Sequence, residues 1–479
     1  MNLADPASLG GEHFDTIIIG SGFGSAFYLA KLLDSGPDRR ILVVEWGEHH
    51  PHDWQIENDR NSYLAPTDTY YSESDKPWTY TIALGGGTNC WFAQTPRFHP
   101  TDFKLKSRYG VGNDWPIDYA DLEPYYLQAE TIMSVSGDPD MAAIMPRSGA
   151  FPQPPHRLSS VDRLMKAAQP DQHFAMPTAR ARVATATRNA CCATFRCYLC
   201  PADAKFTLNN GLIGLFDDPR VSLALKTKAV RFEGAGNSIA RLVIEQDGRE
   251  AKVSADRFIL GANAIQSPAI LDRSDMAGGM TGKGLHESYG AHVEAFLDGV
   301  DNFDGSTITT GLNFGLYDGA FRSDYGGALV YFDNRWTHGL RTEPGRWRQT
   351  VPLMVVVEDL LDPENHVTAA LGGVAQVHYK GIAPYAELGM KKAIEKLPDL
   401  LKPLPVEKIE FRSYRPTESH LQGTLRMGDD PATSVIDAKM IHHRWRNLTV
   451  VGSSSFSTCS CANPSLTVAA LALRAAELA

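Results

Sequence analysis

Four of the seven cysteines lie within ten residues of one another, at Cys191, Cys192, Cys197 and Cys200. Thiolates hold iron–sulfur clusters, and a proline such as Pro201 often follows the last ligand. Zinc bound by four thiolates is an alternative, although two adjacent cysteines suit one tetrahedral ion poorly. Reduced or disulfide-bonded cysteines are the third interpretation. The spacing makes a metal or redox site the first hypothesis for this segment.

A glycine turn at residues 14–25 (FDTIIIGSGFGS) offers a second kind of chemistry. A hydrophobic strand runs into Gly20 and Gly22, and a helix-forming segment follows Ser25. Such a turn brings backbone close to a pyrophosphate and directs the positive end of a helix at it. The next strand ends at Glu45, a spacing typical of a carboxylate that binds ribose hydroxyls. The pattern predicts a dinucleotide site and leaves NAD and FAD open, with an ordinary glycine-rich turn as the alternative.

Composition limits the classes of function. The chain has 479 residues, 43% hydrophobic and 21% charged, which is typical of a globular protein of two or three domains. Its net charge of −10 argues against a nucleic-acid or anionic-membrane binder. No apolar segment approaches the roughly 20 residues of a spanning helix, and no signal peptide is evident. The odd number of cysteines argues against a secreted disulfide framework.

The remaining segments indicate the elements that position these residues. A short strand enters a second glycine turn at residues 81–91, and another apolar strand and turn occupy residues 258–265. From about residue 287 the pattern changes to strands of an antiparallel sheet. Residues 388–401 predict an amphipathic helix, broken near Pro398. Residues 136–160, rich in proline, glycine and serine, predict an exposed connection.

Seven of these segments, in this order, resemble the glucose–methanol–choline (GMC) oxidoreductases, which bind FAD and oxidise alcohols. The segments are FDTIIIGSGFGSA with Glu45, ALGGGTNCWFA, DWPIDYADLEPYY, RFILGANAIQSPAIL, EDLLDPENHVT, HLQGTLRMG and NLTVVGSSSFSTCSCANPSLTVAALALRAAEL.

The resemblance implies an α/β fold, with a Rossmann-type FAD-binding domain interleaved with a substrate domain built on a mainly antiparallel sheet. The expected division has five parts: residues 1–135 (FAD-binding), 136–185 (connection on the substrate side), 186–286 (FAD-binding, with the cysteines), 287–415 (substrate domain) and 416–479 (FAD-binding, with catalytic motifs).

The resemblance also implies which residues contact FAD. Expected at the ADP half are Gly20, Gly22, Ser25 and Glu45, with Val230 near the adenine by its position. Expected along the pyrophosphate or near the ring are Gly86, Gly87, Thr88, Asn89, Trp91, Gly452, Ser453 and Pro464.

Two further residues match the catalytic positions of the family. His420 of HLQGT corresponds to the catalytic histidine, and Asn463 of ANPSLT to a partner that is histidine or asparagine across the family. A neutral histidine can accept a hydroxyl proton while flavin N5 takes the hydride. An amide can hydrogen-bond the substrate oxygen without titrating. The alternatives are a structural histidine and a helix cap at Asn463.

Within the family the chain looks most like bacterial sugar and polyol dehydrogenases and pyranose oxidases. Cys90 stands where pyranose oxidases attach a histidine to FAD, so either a cysteinyl link or a free buried cysteine is expected there. The segment from Cys191 to Cys200 resembles the loop of multisubunit sugar dehydrogenases that carries a three-iron (3Fe-4S) cluster. Its last spacing is one residue shorter than in that loop.

These expectations favour FAD-dependent oxidation of an alcohol group of a sugar, glycoside or polyol, with electrons passed to a non-oxygen acceptor. The alternatives are an oxidase that produces hydrogen peroxide and a flavin-bound electron-transfer or scaffold subunit. A small subunit or cytochrome is the expected electron acceptor. The expected location is cytoplasmic, or periplasmic if a partner subunit exports the chain.

Overall fold

The structure is a computed structural model that describes residues 1–34, 39–334, 346–370 and 373–479. Residues 335–345 and 371–372, within the predicted substrate domain, lie outside the described residues. The chain forms two large sheets and a small one, with helices packed around them. The described architecture is the predicted α/β class, with one sheet mainly parallel and the other antiparallel.

The first sheet has seven strands and carries both the first glycine turn and Glu45. Its order is β5-β2-β1-β8-β7-β6, and β16 pairs with β8. The parallel strands read as continuous apolar runs because helices and loops cover both of their faces. The strands are β1 (His13–Ile19), β2 (Ile41–Val44), β5 (Val221–Ala224), β6 (Lys228–Ala235), β7 (Ser238–Gln246), β8 (Arg249–Leu260) and β16 (Leu448–Val450).

Strand β8 joins distant parts of the chain. Its first half pairs antiparallel with β7, and its second half pairs parallel with β1. Its last three residues also pair with β16. The sheet therefore takes strands from both ends of the sequence, with the second sheet inserted between them.

The second sheet is antiparallel, in the order β15-β9-β12-β11-β10-β4. Apolar side chains on one face of β9, β11 and β12 pack against helix α8 and form a separate core. The strands are β4 (His173–Ala175), β9 (Tyr289–Leu297), β10 (Thr309–Asn313), β11 (Ala328–Asp333), β12 (Thr350–Val357) and β15 (Val406–Tyr414). The antiparallel strands expected from about residue 287 onward are confirmed.

A small sheet and the helices complete the fold. The small sheet contains β3 (Tyr70–Ser72), β13 (His366–Ala369) and β14 (Ala375–His378). The helices are α1 (Phe23–Asp34), α2 (His52–Glu57), α3 (Leu105–Tyr109), α4 (Tyr119–Met133), α5 (Ser160–Ala168), α6 (Leu208–Gly211), α7 (Asn263–Arg273), α8 (Pro384–Leu400) and α9 (Ser465–Glu477). Within the ranges described above, no helix is both long and apolar enough to cross a bilayer.

Two local predictions were wrong. Helix α8 begins at Pro384 and continues through Pro398 to Leu400. Pro384 occupies the first helical position, where proline is well tolerated because the N–H there has no partner in the helix. Pro398 falls in the last turn, so the helix ends soon after it in any case. The segment 136–160 is not simply exposed, since Ser136, Asp138 and His156 are buried. Its polar residues make hydrogen bonds inside the protein.

Candidate active site

The first glycine turn joins β1 to α1 and forms one wall of a cavity of ≈ 770 Å³. Gly20 has a φ of +85°, and a Cβ on it would lie 2.6 Å from the carbonyl oxygen of Gly261. Only glycine fits there. A Cβ on Gly22, in contrast, would meet no atom within 4 Å. The space beside Gly22 is part of the cavity and is open to a ligand.

Ser25 supports this turn from behind and does not line the cavity. Its Oγ donates to the carbonyl oxygen of Ile19 at 3.4 Å. A Cβ on Gly261 would lie 2.2 Å from the same Oγ, so α1 and β8 are closely packed at this point. The structure therefore places Ser25 in the contact between α1 and β8.

Glu45 lies in the cavity wall directly after β2 and is fixed to the turn. Its Oε2 accepts a hydrogen bond from Ser21 Oγ at 2.6 Å, and its Oε1 accepts from the Gly47 N–H at 2.8 Å. Burial raises the pKa of this carboxyl, while the hydrogen bonds from Ser21 and Gly47 lower it. The carboxylate is thus held in one orientation beside the glycine turn.

The second glycine turn meets the first across the cavity wall. Gly86 has a φ of +47°, and a Cβ on it would lie 3.1 Å from the Cα of Gly22. Gly86 and Gly87 both line the cavity. The two turns that the sequence singled out are therefore neighbours in space.

Thr88 and Asn89 lie behind this turn and do not line the cavity. Thr88 Oγ1 accepts from the Leu208 N–H at 3.0 Å, and Asn89 Nδ2 donates to the Leu84 carbonyl at 2.9 Å. No described residue donates a hydrogen bond to Asn89 Oδ1, which is buried. Both side chains hold the backbone of the glycine turn in place.

Lys205 ties this turn to the cysteine segment. Its buried Nζ donates to the carbonyls of Asn89 at 2.6 Å, Trp91 at 3.1 Å and Tyr198 at 2.8 Å. Burial lowers the pKa of Lys205 to about 8. Trp91, which lines the cavity, also donates from Nε1 to the Phe206 carbonyl at 2.7 Å.

The C-terminal segment closes the cavity from the opposite side. Gly452, with a φ of +102°, lines it together with Ser453 and Pro464. Val230 does not line it, whereas the preceding residue, Ala229, does. The carbonyl of Val230 accepts from Arg273 Nε at 2.8 Å. The residue of β6 that lines the cavity next to the predicted Val230 is therefore Ala229.

His420 and Asn463 meet in the wall of the same cavity. Asn463 Nδ2 lies 3.4 Å from His420 Nε2, and Ser288 Oγ lies 3.2 Å from His420 Nδ1. Tyr331 OH donates to Asn463 Oδ1 at 3.0 Å. Since Nδ2 can only donate, Nε2 must be the acceptor, and the proton of the neutral ring is on Nδ1. Nε2 therefore carries a lone pair in the cavity.

The surroundings of His420 keep its imidazole neutral. The side chain is only half-buried, because it faces the cavity, yet the protein around it removes most of its solvation. Burial lowers the pKa of His420 to about 3, and the positive charge of Arg415 acts in the same direction. The backbone N–H of His420 donates to Glu287 Oε2 at 3.0 Å, which fixes the main chain.

Three polar residues beside His420 and Asn463 were not identified from the sequence. Tyr331 lies on β11, while Arg415 and Glu418 precede His420 in the segment RPTESH. The only signal in the sequence was the charge of Arg415 and Glu418, just before the HLQGT motif. Tyr331 gave no signal, because its role depends on how the second sheet packs against the C-terminal segment.

A buried charge cluster anchors the loop that carries Asn463. Arg322 Nε lies 2.8 Å from Glu358 Oε1, and Arg322 Nη2 lies 2.9 Å from Asp102 Oδ1. Asp102 Oδ2 in turn accepts from Ser460 Oγ at 3.0 Å. Buried ions of this kind are stable only when each is paired and hydrogen-bonded. The cluster links the second sheet to the loop before α9.

Within the part of the chain that the structure describes, the cysteine segment is not arranged as the predicted metal site. Cys197 and Cys200 are buried, Cys191 is half-buried and Cys192 is exposed, and all four are free thiols. Among the described residues, no group of three or more His, Cys, Asp or Glu side chains is arranged to hold a metal ion. Burial raises the pKa of Cys197 to about 11. The iron–sulfur prediction is not supported.

Comparison with known proteins agrees with this arrangement. Residues 379–472 match the family model of the C-terminal part of GMC oxidoreductases. The fructose dehydrogenase large subunit of Gluconobacter japonicus is 27% identical, with 97% of each chain covered. Paromamine 6'-oxidase of Streptomyces fradiae is 26% identical, over 97% of this chain and 91% of the relative.

The fold has a matching neighbour among solved structures. Pyridoxine 4-oxidase of Mesorbium loti superimposes with a TM-score of 0.67 at 17% identity, over 97% of this chain and 98% of the other. At this identity the likeness concerns the fold alone. With the family model and the full-length relatives, it confirms the resemblance to the GMC oxidoreductases, a family of FAD-binding flavoproteins.

Proposed function

We propose that the protein oxidises an alcohol group of a sugar or polyol with FAD as cofactor. The observation that carries this proposal is the cavity itself. It runs from the two glycine turns and Glu45 at one end to His420 and Asn463 at the other. The sugar-related relatives, a fructose dehydrogenase subunit and a paromamine oxidase, support the substrate class.

The residues fit FAD on structural grounds. The open space at Gly22, beside the start of α1, suits a pyrophosphate at a helix N-terminus. Glu45, oriented by Ser21, would bind the ribose hydroxyls. Gly86 and Gly87 would lie along the cofactor, and Gly452, Ser453 and Pro464 would lie near the ring. When bound, FAD supplies the hydride acceptor of the reaction.

The chain's own contribution is to bind the alcohol and to accept its proton. His420 Nε2, with its lone pair in the cavity, takes the hydroxyl proton. Tyr331 fixes Oδ1 of Asn463, so Nδ2 is directed to the substrate oxygen. Because the pKa of His420 is about 3, the imidazole is unprotonated throughout the physiological range. The proton acceptor is therefore always in its competent form.

The electron acceptor belongs to the same proposal. A dehydrogenase that passes electrons to a non-oxygen acceptor is supported by the fructose dehydrogenase relative, which is named as a large subunit. A partner subunit for this chain is consistent with that name. An oxidase is the second candidate, because paromamine 6'-oxidase is a relative of similar identity. Two rates distinguish the candidates. Release of hydrogen peroxide during turnover in air indicates an oxidase, and faster reduction of an artificial dye than of oxygen indicates a dehydrogenase.

Substitution of His420→Ala tests the assignment. The variant should bind FAD in the wild-type ratio, because His420 lies at the substrate end of the cavity. Loss of the proton acceptor should slow anaerobic flavin reduction by the alcohol about 100- to 10,000-fold. The measurement is the decay of the oxidised flavin absorbance after mixing with substrate.

The matched control is His366→Ala, since His366 stacks on His378 outside the cavity. This variant should reduce its flavin at the wild-type rate. Wild-type reduction rates in His420→Ala, with FAD bound, would refute the catalytic role of His420.

A further inference from the structure

A carboxylate at the substrate end of the cavity is buried without a hydrogen-bond donor. Glu418 is 8% exposed and lies in the cavity wall two residues before His420. None of the residues that the structure describes donates a hydrogen bond to its Oε1. Buried carboxylates normally accept several hydrogen bonds, because loss of hydration is costly. Oε1 is itself enclosed by the protein, whereas no described residue donates a hydrogen bond to Oε2, and Oε2 is the oxygen that a ligand in the cavity can reach.

Arg415 is the charged neighbour of this carboxylate. Its Nε lies 3.2 Å from Glu418 Oε1, as an ion pair without hydrogen-bond geometry. Arg415 also lines the cavity, and its backbone N–H donates to the Gly290 carbonyl at 2.8 Å. The guanidinium balances the carboxylate electrostatically through Oε1 and leaves Oε2 open to the cavity.

The second sheet makes room for the pair. A Cβ on Gly290, at the start of β9, would lie 1.7 Å from Glu418 Oε1 and 3.1 Å from Arg415 Cδ. Any side chain at this position would displace the carboxylate. The absence of a side chain at residue 290 and the charges at residues 415 and 418 thus form one built feature of the cavity.

We propose that Glu418, paired with Arg415, binds a second hydroxyl group of the substrate and so selects neutral polyols over simple alcohols. The inference rests on the proposed function, since His420 and Asn463 would hold the hydroxyl that reacts. A carboxylate accepts from hydroxyl groups, and the guanidinium donates to them. A neutral hydroxyl fits better than an ammonium group, because Arg415 already balances the charge and would repel a cation.

The first test compares binding in the absence of turnover. His420→Ala holoenzyme is titrated calorimetrically with D-fructose, D-glucose, D-sorbitol and xylitol, with and without the additional change Glu418→Gln. Loss of a hydrogen bond to a charged acceptor should raise the Kd about 10- to 100-fold for the polyols that bind. In the same His420→Ala background, Glu418→Asp keeps the charge but shortens the side chain. Its Kd values should lie between those measured with Glu418 and those measured with Gln at this position.

The control is Glu410→Gln, since Glu410 lies on β15 outside the cavity and pairs with Arg412 at 2.7 Å. It should leave every Kd unchanged. Equal Kd values with and without the Glu418 carboxylate would overturn the proposal, and so would failure of all four polyols to bind. Tighter binding of D-glucosamine than of D-glucose would overturn the assignment to neutral polyols.

The second test uses the unaltered protein, in case Glu418 variants fold poorly. Wild-type holoenzyme should reduce its flavin with a lower KM for xylitol than for 1-pentanol, which has the same number of carbons and one hydroxyl. A lower KM for 1-pentanol contradicts the role of Glu418 while leaving alcohol oxidation intact. If no alcohol reduces the flavin, the proposed function fails, and the calorimetric comparison still decides the role of Glu418.

Discussion

At the scale of single residues, the orientation of one amide determines which groups face the substrate. Tyr331 OH donates to Asn463 Oδ1 at 3.0 Å and lies 3.1 Å from the carbonyl of Cys461. Asn463 Nδ2 then points toward His420 Nε2. A single buried phenol thus sets both the direction of the amide and, through it, the tautomer of the histidine.

Substitution of Tyr331→Phe should disturb this arrangement without changing the cavity's shape. Asn463 Oδ1 would lose its donor, and the amide could then turn over. We expect flavin reduction to slow about 10-fold, with FAD content unchanged. Stopped-flow absorbance measures the rate, and Tyr414→Phe, a change at an exposed tyrosine on β15, is the control. A Tyr331→Phe rate equal to wild type would show that Asn463 needs no such support.

The sequence predicted His420 and Asn463 but not their supporting residues, for a physical reason. A catalytic motif is local, because the neighbouring residues shape the loop that presents it. The support comes from elsewhere in the chain: Tyr331 from β11 and Ser288 from the residue before β9. Only the packing of the second sheet against the C-terminal segment brings them together, and one sequence contains no record of that packing.

At the scale of elements, the two glycines of the first turn have different roles. Gly20 is required by the protein itself, since its φ is +85° and Gly261 lies behind it. A Cβ on Gly22 would enter open space, with no described residue within 4 Å. Gly20 is therefore needed for the backbone to fold, and Gly22 leaves space that a ligand can occupy.

This difference predicts opposite results for two alanine substitutions. Gly22→Ala should leave the melting temperature of the apoprotein unchanged but weaken FAD binding about 10-fold or more, because the methyl group occupies ligand space. Gly20→Ala should lower both the stability and the FAD affinity. Differential scanning fluorimetry of apoprotein and FAD titration measure the two effects. A destabilised Gly22→Ala apoprotein would contradict the distinction.

The elements also show where sequence patterns mislead. Pro398 suggested a break in α8, but one proline in a last turn costs few helix hydrogen bonds, and α8 packs its apolar face on the second sheet. The composition of residues 136–160 suggested a solvent-exposed connection. Instead, Asp138 accepts from the Ala175 N–H at 3.0 Å, next to the edge strand β4. Tertiary contacts outweighed the local tendency in both cases.

At the scale of the whole molecule, buried histidines connect stability to pH. Burial lowers the pKa of His156, His286 and His442 to about 4. An unfolded chain protonates these groups near pH 6.5, before the folded chain does. Their contribution to stability is therefore complete above about pH 6.5 and is lost as the pH falls toward 4. The buried carboxyls of Asp359 and Glu418, with pKa values of about 7, act in the opposite sense.

A variant comparison isolates one of these histidines. The unfolding free energy of wild type should fall between pH 6.5 and pH 4, and that of His442→Gln should fall less. The difference between the two decreases should be about 2–3 kcal/mol. Urea unfolding at a series of pH values gives the difference. His13→Gln, a change at an exposed histidine, should follow the wild-type curve. Parallel curves for wild type and His442→Gln would show that His442 is not protonated on unfolding in this range.

The pairing of β16 with β8 has a consequence for how the protein is made. Strand β16 and helix α9, which packs against α1 and α4, come from residues 448–477. A ribosome synthesises β1, its glycine turn and Glu45 long before these partners exist. During translation the nascent chain therefore cannot complete the nucleotide pocket, even though most of its residues have emerged. If FAD binds as proposed, its capture would follow the synthesis of β16 and α9.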